Sequence, residues 1–187
     1  MNLKIRQNCL FFWNLIDPIY FRFTRLGNVE DSNDKRTIMR VRLTKYKGRT
    51  LTLEDGTVIH KNDLLLKIHL HNAQLLRECH NYDNDIRRAL IIYKKIKGSL
   101  PYLVKYLEST GYKDRVKGLI GITSLYKGCH KLGFEVYSIQ NPYYKWFKQL
   151  ALFPIHFISS STLPKSIPVP KYLLMSKDVL HQKYHTL

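Results

Sequence analysis

Acidic side chains are scarce in this chain. Only 14 Asp and Glu stand against 31 Lys and Arg, which leaves a net charge of +17 over 187 residues. A surface this basic attracts polyanions such as nucleic acid, anionic lipid headgroups or phosphate-bearing envelope polymers. A lysine-rich proteome gives the same excess, and the charge bears on partners rather than on fold. Cysteine is also sparse. Cys9, Cys79 and Cys129 are an odd number at wide spacing with no CxxC pair, so neither a zinc finger nor a disulfide framework is expected and reduced thiols in a cytoplasmic protein fit. Long apolar runs are missing too. Lys4 and Arg6 precede Cys9 to Ile16, but that run stops at Asp17-Pro18, and the bulky, basic Tyr20-Phe21-Arg22-Phe23 offers no cleavage site. No signal peptide and no transmembrane span are expected. Walker, GxSxG and GxGxxG signatures are absent, as are internal repeats and low-complexity tracts.

What is present is a grammar of short β runs separated by turns, then helices. Residues 8–24 read as a helix kinked near Pro18, apolar almost all round, and 27–36 as a polar loop centred on Asp31-Ser32-Asn33-Asp34. From Thr37 the period becomes two, with Ile38, Arg40, Arg42 and Thr44 alternating against Met39, Val41, Leu43 and Lys45. Lys47-Gly48, Asp55-Gly56 and Lys61-Asn62-Asp63 mark turns between further strands at Leu51–Leu53, Thr57–His60 and Leu64–Leu70, with Asn62 standing where such turns often use Gly. These four strands predict one compact sheet or small barrel. A helix capped by Asn72 follows, then two helices, one from Asp85 and one from Ser99 to Gly111, separated by Gly98-Ser99. Arg87, Arg88, Lys94, Lys95, Lys97 and Lys105 read as their outward basic face. Beyond them come a strand at Leu119–Thr123, a short helix at Leu125–Leu132, a strand at Phe134–Ile139, an aromatic helix begun by Asn141-Pro142, a loop at Ser159–Pro170, a strand at Tyr172–Met175 and a helix capped by Ser176. The expected class is α+β: a single domain with a compact mixed or antiparallel β unit and covering helices over 37–187, preceded by an apolar helix and loop over 1–36.

Two blocks resemble the YkoP-like domain family of spore-forming Gram-positive bacteria. The first carries Lys45-Tyr46-Lys47-Gly48, Asp55-Gly56-Thr57 and Leu66-Lys67-Ile68-His69-Leu70-His71-Asn72; the second carries Gly121-Ile122-Thr123 and Leu132-Gly133-Phe134-Glu135-Val136, with Tyr172 to Ser176 as the matching end. The resemblance implies a domain found alone and behind polysaccharide deacetylase domains, and it brings no established activity with it. The chain departs from the family pattern at Leu66, where Gly is usual, and at Tyr126, where His is frequent. A family site built on that His would be missing here.

His69 and His71 share one strand face, with His60 on an adjoining strand, a set able to meet a transition metal. No carboxylate accompanies them, so structural histidines are the plainer account and no metal or other cofactor is expected. His69 matches the family pattern and is the better functional candidate. His181 and His185 form an HxxxH pair near the chain end, without the Asp-Asp that deacetylase metal sites need, and read as coincidence. Thr123-Ser124 after a Gly-flanked strand suits an anion-binding turn, with Lys127 near in sequence. Glu135 is expected to be solvated or salt-bridged. The candidate ligand-binding residues are His69, Asn72, Thr123, Ser124, Tyr126, Lys127 and Glu135. Residues 143–157 interleave aromatics with Lys145 and Lys148, which suits core packing, a membrane interface or nucleic-acid stacking. The leading expectation is a non-catalytic binding module for an anionic glycan or lipid-linked ligand in envelope or spore polysaccharide metabolism, cytoplasmic or peripheral to the membrane. The alternatives are a basic nucleic-acid-binding protein and an enzyme using His69.

Overall fold

The computed structural model describes residues 25–71, 74–75, 85–159 and 169–185, besides Phe11 and Arg22; of residues 85 and 151–159 it describes the backbone. The helix expected over 8–24, the cap at Asn72 and most of the loop after Ser159 lie outside these residues, as do Cys9 and Cys79. The elements run β1 (Gly27–Glu30), β2 (Arg36–Lys45), β3 (Leu51–Thr52), β4 (Val58–Ile59), β5 (Leu64–Leu70), α1 (Asp85–Ser109), β6 (Gly118–Thr123), β7 (Glu135–Ser138), α2 (Pro142–Ser159), β8 (Lys171–Ser176) and α3 (Lys177–Tyr184). Six strands form one mixed sheet in the order β1-β2-β5-β6-β8-β7, and β3 and β4 form a separate hairpin. The fold is α+β. β5 and β6 are parallel, with α1 in the crossover that such a pairing requires, and the other neighbours are antiparallel.

The first sheet face is the larger core. Met39, Val41, Leu66, Leu119 and Met175 project from the sheet to meet Leu100, Leu103 and Leu107 of α1 and Leu180 of α3. That burial explains a difference from the sequence reading. Gly98-Ser99 does not divide α1, which runs on through Gly98 and Pro101 as a single helix. Ser99 donates its hydroxyl to the Lys95 carbonyl at 2.8 Å instead of capping a new helix. The apolar stripe continues across the junction, and packing outweighs the local preference of Gly and Pro. At the start of α1 the facing is reversed from expectation: Arg88 is 4% exposed, whereas Ile86 is 78% and Leu90 51% exposed.

The second face carries a smaller core of Tyr46, Leu53, Ile59, Leu65, Ile120 and Leu174, covered by the β3–β4 hairpin. So the four expected strands divide between two sheets: β2 and β5 pair centrally, while β3 and β4 lie on top. β1 occupies a stretch expected to be loop, and the turn at Asp31 follows it, the Asp31 carboxylate accepting from the Asn33 and Lys35 amides. The helix expected at Leu125–Leu132 is only a 3-10 turn, Cys129–Leu132, bracketed by Gly128 and Gly133 at φ 84 and 90. Leu66 is fully buried in the first core.

Two local readings match the structure closely. Asn141 accepts from the Tyr144 amide at 2.9 Å and Ser176 from the Val179 amide at 3.0 Å, each capping its helix. Asn62 has φ 72, and its side chain accepts from the Lys47 ammonium at 3.1 Å. Asn62→Ala should cost about 1 kcal/mol, because alanine resists the left-handed conformation, while Asn62→Gly should be close to neutral. Denaturant melts of the two variants check this, and equal losses would count against it.

Candidate functional site

Alternation along β2 and β5 sorts their side chains. Met39, Val41, Leu43, Leu66, Ile68 and Leu70 belong to the first core, so Arg40, Arg42, Lys67 and His69 point to the second face. The register then sets Arg40 opposite His69 and Arg42 opposite Lys67. Directly opposed residues have Cβ atoms about 5 Å apart, so these four basic side chains form a two-by-two block on the central strands. Arg40 and Lys67 are each 9% exposed.

α2 adds a fifth basic group. Tyr144, Lys145, Lys148 and Gln149 of α2 are half-buried, while Tyr143, Trp146, Phe147 and Leu150 are 84, 65, 56 and 55% exposed. The exposed set has the i, i+3, i+4, i+7 spacing of one helix face. The helix is therefore turned the opposite way from an ordinary surface helix: its cationic side meets the protein and its aromatic stripe faces out. The expectation of core packing for this helix fails for those four residues. Lys148 lies over the Tyr144 and Phe147 rings, 5.4 and 5.5 Å from their centroids.

Burial, and then the positive charges of Lys148 and Arg42, push the Lys67 ammonium down to about 8. Burial, and then Lys67, Arg42, Lys148 and Arg40, push the His69 imidazole down to about 3. Lys148 is lowered by burial and by Arg42. Tyr172 on β8 is pushed up to about 12 by burial and by the neighbouring Tyr144 and Tyr46. Among the described residues, the charges acting on Lys67 and His69 are positive. An anion interacts favourably with charges of this sign.

The seven residues singled out in the sequence do not converge. His69 is in the basic cluster, and Asn72 lies outside the described residues. Thr123 accepts from the Leu125 amide at 3.0 Å through its hydroxyl, a turn contact, and Ser124 follows it half-buried. Tyr126 packs on the first core, across the sheet from His69, and Lys127 is exposed. Glu135 ties β7 to the hairpin, accepting from the Glu54 amide at 2.9 Å and from the Tyr137 hydroxyl at 2.6 Å. His71 accepts from the Gln74 amide at 3.3 Å through Nδ1. His60 sits on the hairpin, where its amide donates to Asp63 at 2.8 Å. Sequence reasoning missed Arg40, Arg42 and Lys67. Lys67 had a readable signal: one lysine in Leu64-Leu65-Leu66-Lys67-Ile68, a strand apolar on both faces, has to be buried.

Among the described residues, no helix is long and apolar enough to cross a membrane. No solved structure matches the chain. "Uncharacterized protein YkoP" of Bacillus subtilis (strain 168) is 43% identical over 176 residues, which cover 94% of this chain and 95% of that protein. The YkoP domain matches residues 6–184, and on both counts the chain belongs to the YkoP domain family.

Proposed function

We propose that this protein is a non-catalytic module that holds the anionic headgroup of a lipid-linked glycan at a membrane surface, in the service of bacterial envelope or spore polysaccharide metabolism. The observation that carries this reading is the orientation of α2. Its basic side comes beside Arg42 and Lys67, and its stripe of Tyr143, Trp146, Phe147 and Leu150 is turned outward. Aromatic side chains beside lysines suit the interface between headgroups and acyl chains, and the net charge of +17 draws the protein to an anionic surface. An anion beside Lys67 and Lys148 interacts favourably with both charges. The polysaccharide link rests on the family resemblance, and the location on this reading is cytoplasmic and peripheral to the membrane.

Catalysis by His69 fits less well. A general acid or base works best with a pKa near the working pH, and His69 is held at about 3. The test is vesicle co-sedimentation, with vesicles of neutral lipid alone and with added phosphatidylglycerol. Binding should require the anionic lipid and weaken with salt. Equal binding to both vesicle types, or binding to oligonucleotides that out-competes anionic vesicles, would overturn the proposal, the second in favour of nucleic acid.

A further inference from the structure

A second cluster lies away from the basic residues of β2, β5 and α2, where the end of α1 meets α3. Glu108 is the penultimate residue of α1, and His181 and His185 stand one turn apart on α3 and its C-cap. Glu108 Oε1 is 3.3 Å from His181 Nε2 and 3.8 Å from His185 Nε2. The three ligand atoms all lie within 4.8 Å of one another. The two imidazoles stack with centroids 4.0 Å apart. We propose that Glu108, His181 and His185 form a binding site for a divalent transition metal of the zinc type.

The spacing is the first argument. A tetrahedral shell with bonds of about 2.0–2.1 Å has ligand–ligand edges of about 3.4 Å. The two glutamate–histidine separations bracket that value, and all three side chains are exposed enough to make small adjustments. Lys113 supplies the second argument. Its Nζ stands 3.3 Å from Glu108 Oε1 and 3.3 Å from His181 Nε2. An ammonium already sits where the lone pairs of a carboxylate and an imidazole converge. A doubly charged ion competes for the same lone pairs with greater charge. Two imidazoles and one carboxylate suit zinc, nickel or copper rather than magnesium or calcium. The HxxxH pair therefore has its third ligand, not from a neighbouring sequence but from a helix end far away in the chain. Glu108 and His181 also line a cleft of about 310 Å³ with Asp114, Lys177 and Gln182. A three-ligand site leaves one coordination position for water.

The plain rival is a surface charge knot in which Lys113 is the permanent cation. Titration of chelator-stripped protein with zinc, followed by calorimetry and by the visible absorption of bound cobalt, separates the two. The site predicts one equivalent bound and a melting temperature raised by on the order of 5–10 °C at zinc near 100 times its dissociation constant. His181→Ala/His185→Ala should weaken binding by roughly 100-fold or more, beyond the 10–100-fold that loss of an outer partner costs. Lys113→Met should tighten it, and His60→Ala should leave it unchanged. No zinc or cobalt binding by folded protein, or binding that survives the double histidine substitution, would overturn the proposal.

Discussion

Replacing Trp146 and Phe147 together by serine should lower partition onto phosphatidylglycerol vesicles by about two orders of magnitude, with the thermal melt unchanged. Both side chains are more than half exposed, at 65% and 56%, so the folded protein in water loses little packing with them. Fully burying an aromatic side chain contributes about 1.5–3 kcal/mol, and partial burial at an interface retains part of that. Two such groups together reach about 3 kcal/mol, which is roughly a hundredfold in partition at 1.4 kcal/mol per tenfold. Tyr144 and Lys148 are half-buried and stay in place; the substitution removes the Phe147 ring from Lys148 Nζ and keeps the Tyr144 ring at 5.4 Å. A variant that binds vesicles as well as the parent would show that the stripe does not touch the membrane. A variant that melts much lower would show that the stripe is covered within the protein.

Lys67→Met should make the protein more stable at neutral pH and a poorer binder of anions. The lysine is 9% exposed, and its pKa is lowered from 10.5 to about 8. A depression of that size corresponds to roughly 3 kcal/mol spent on holding the charge in place. The sign follows from proton counting. Between pH 8 and 10.5 the unfolded chain binds more protons at this site than the folded one, so stability rises as pH rises through that window. The cost is fully present below pH 8 and absent above 10.5. Methionine removes the charge and keeps an unbranched chain of similar length, so a gain of about 1–3 kcal/mol is expected at pH 7, shrinking toward zero as pH approaches 10.5. Urea melts across that range check the gain, and a phosphate-dependent thermal shift checks the loss of binding. A destabilised variant, or one with undiminished anion response, would contradict the account. Stability sacrificed at a functional position is a familiar pattern, and here it would mark the basic cluster as a site rather than a packing defect.

The elements that were legible in the sequence share one property: their signals are local. Asp55-Gly56 places Gly56 at φ 85 in a turn, with the Asp55 carboxylate accepting from the Thr57 amide at 3.0 Å. Asn141 and Ser176 cap the helices they precede. What was not legible depends on distant partners. β1 is four residues long, and it is a strand because β2 offers it an edge. α1 continues through Gly98 and Pro101 because the sheet buries Leu100 and Leu103 beyond them. The spacing of α2 reveals an aromatic face but not whether that face points in or out; that is decided only in the fold, where Lys148 comes beside Arg42 and Lys67. The candidate site shows the same limit. His69 could be named from its strand, whereas Arg40, Arg42 and Lys148 come from two other elements and meet it only in the fold. The HxxxH pair likewise lacked a carboxylate until α1 brought Glu108 to it.

Calorimetric titration with sulfate at pH 8, repeated in two buffers of different ionisation enthalpy, tests the basic cluster most directly. Lys67, at about 8, is half protonated there, and a bound anion raises its pKa. The account predicts saturable binding accompanied by uptake of up to about half a proton, with the uptake lost in Lys67→Met. Absence of binding, or binding of equal strength in Lys67→Met and without proton uptake in the parent, would contradict it.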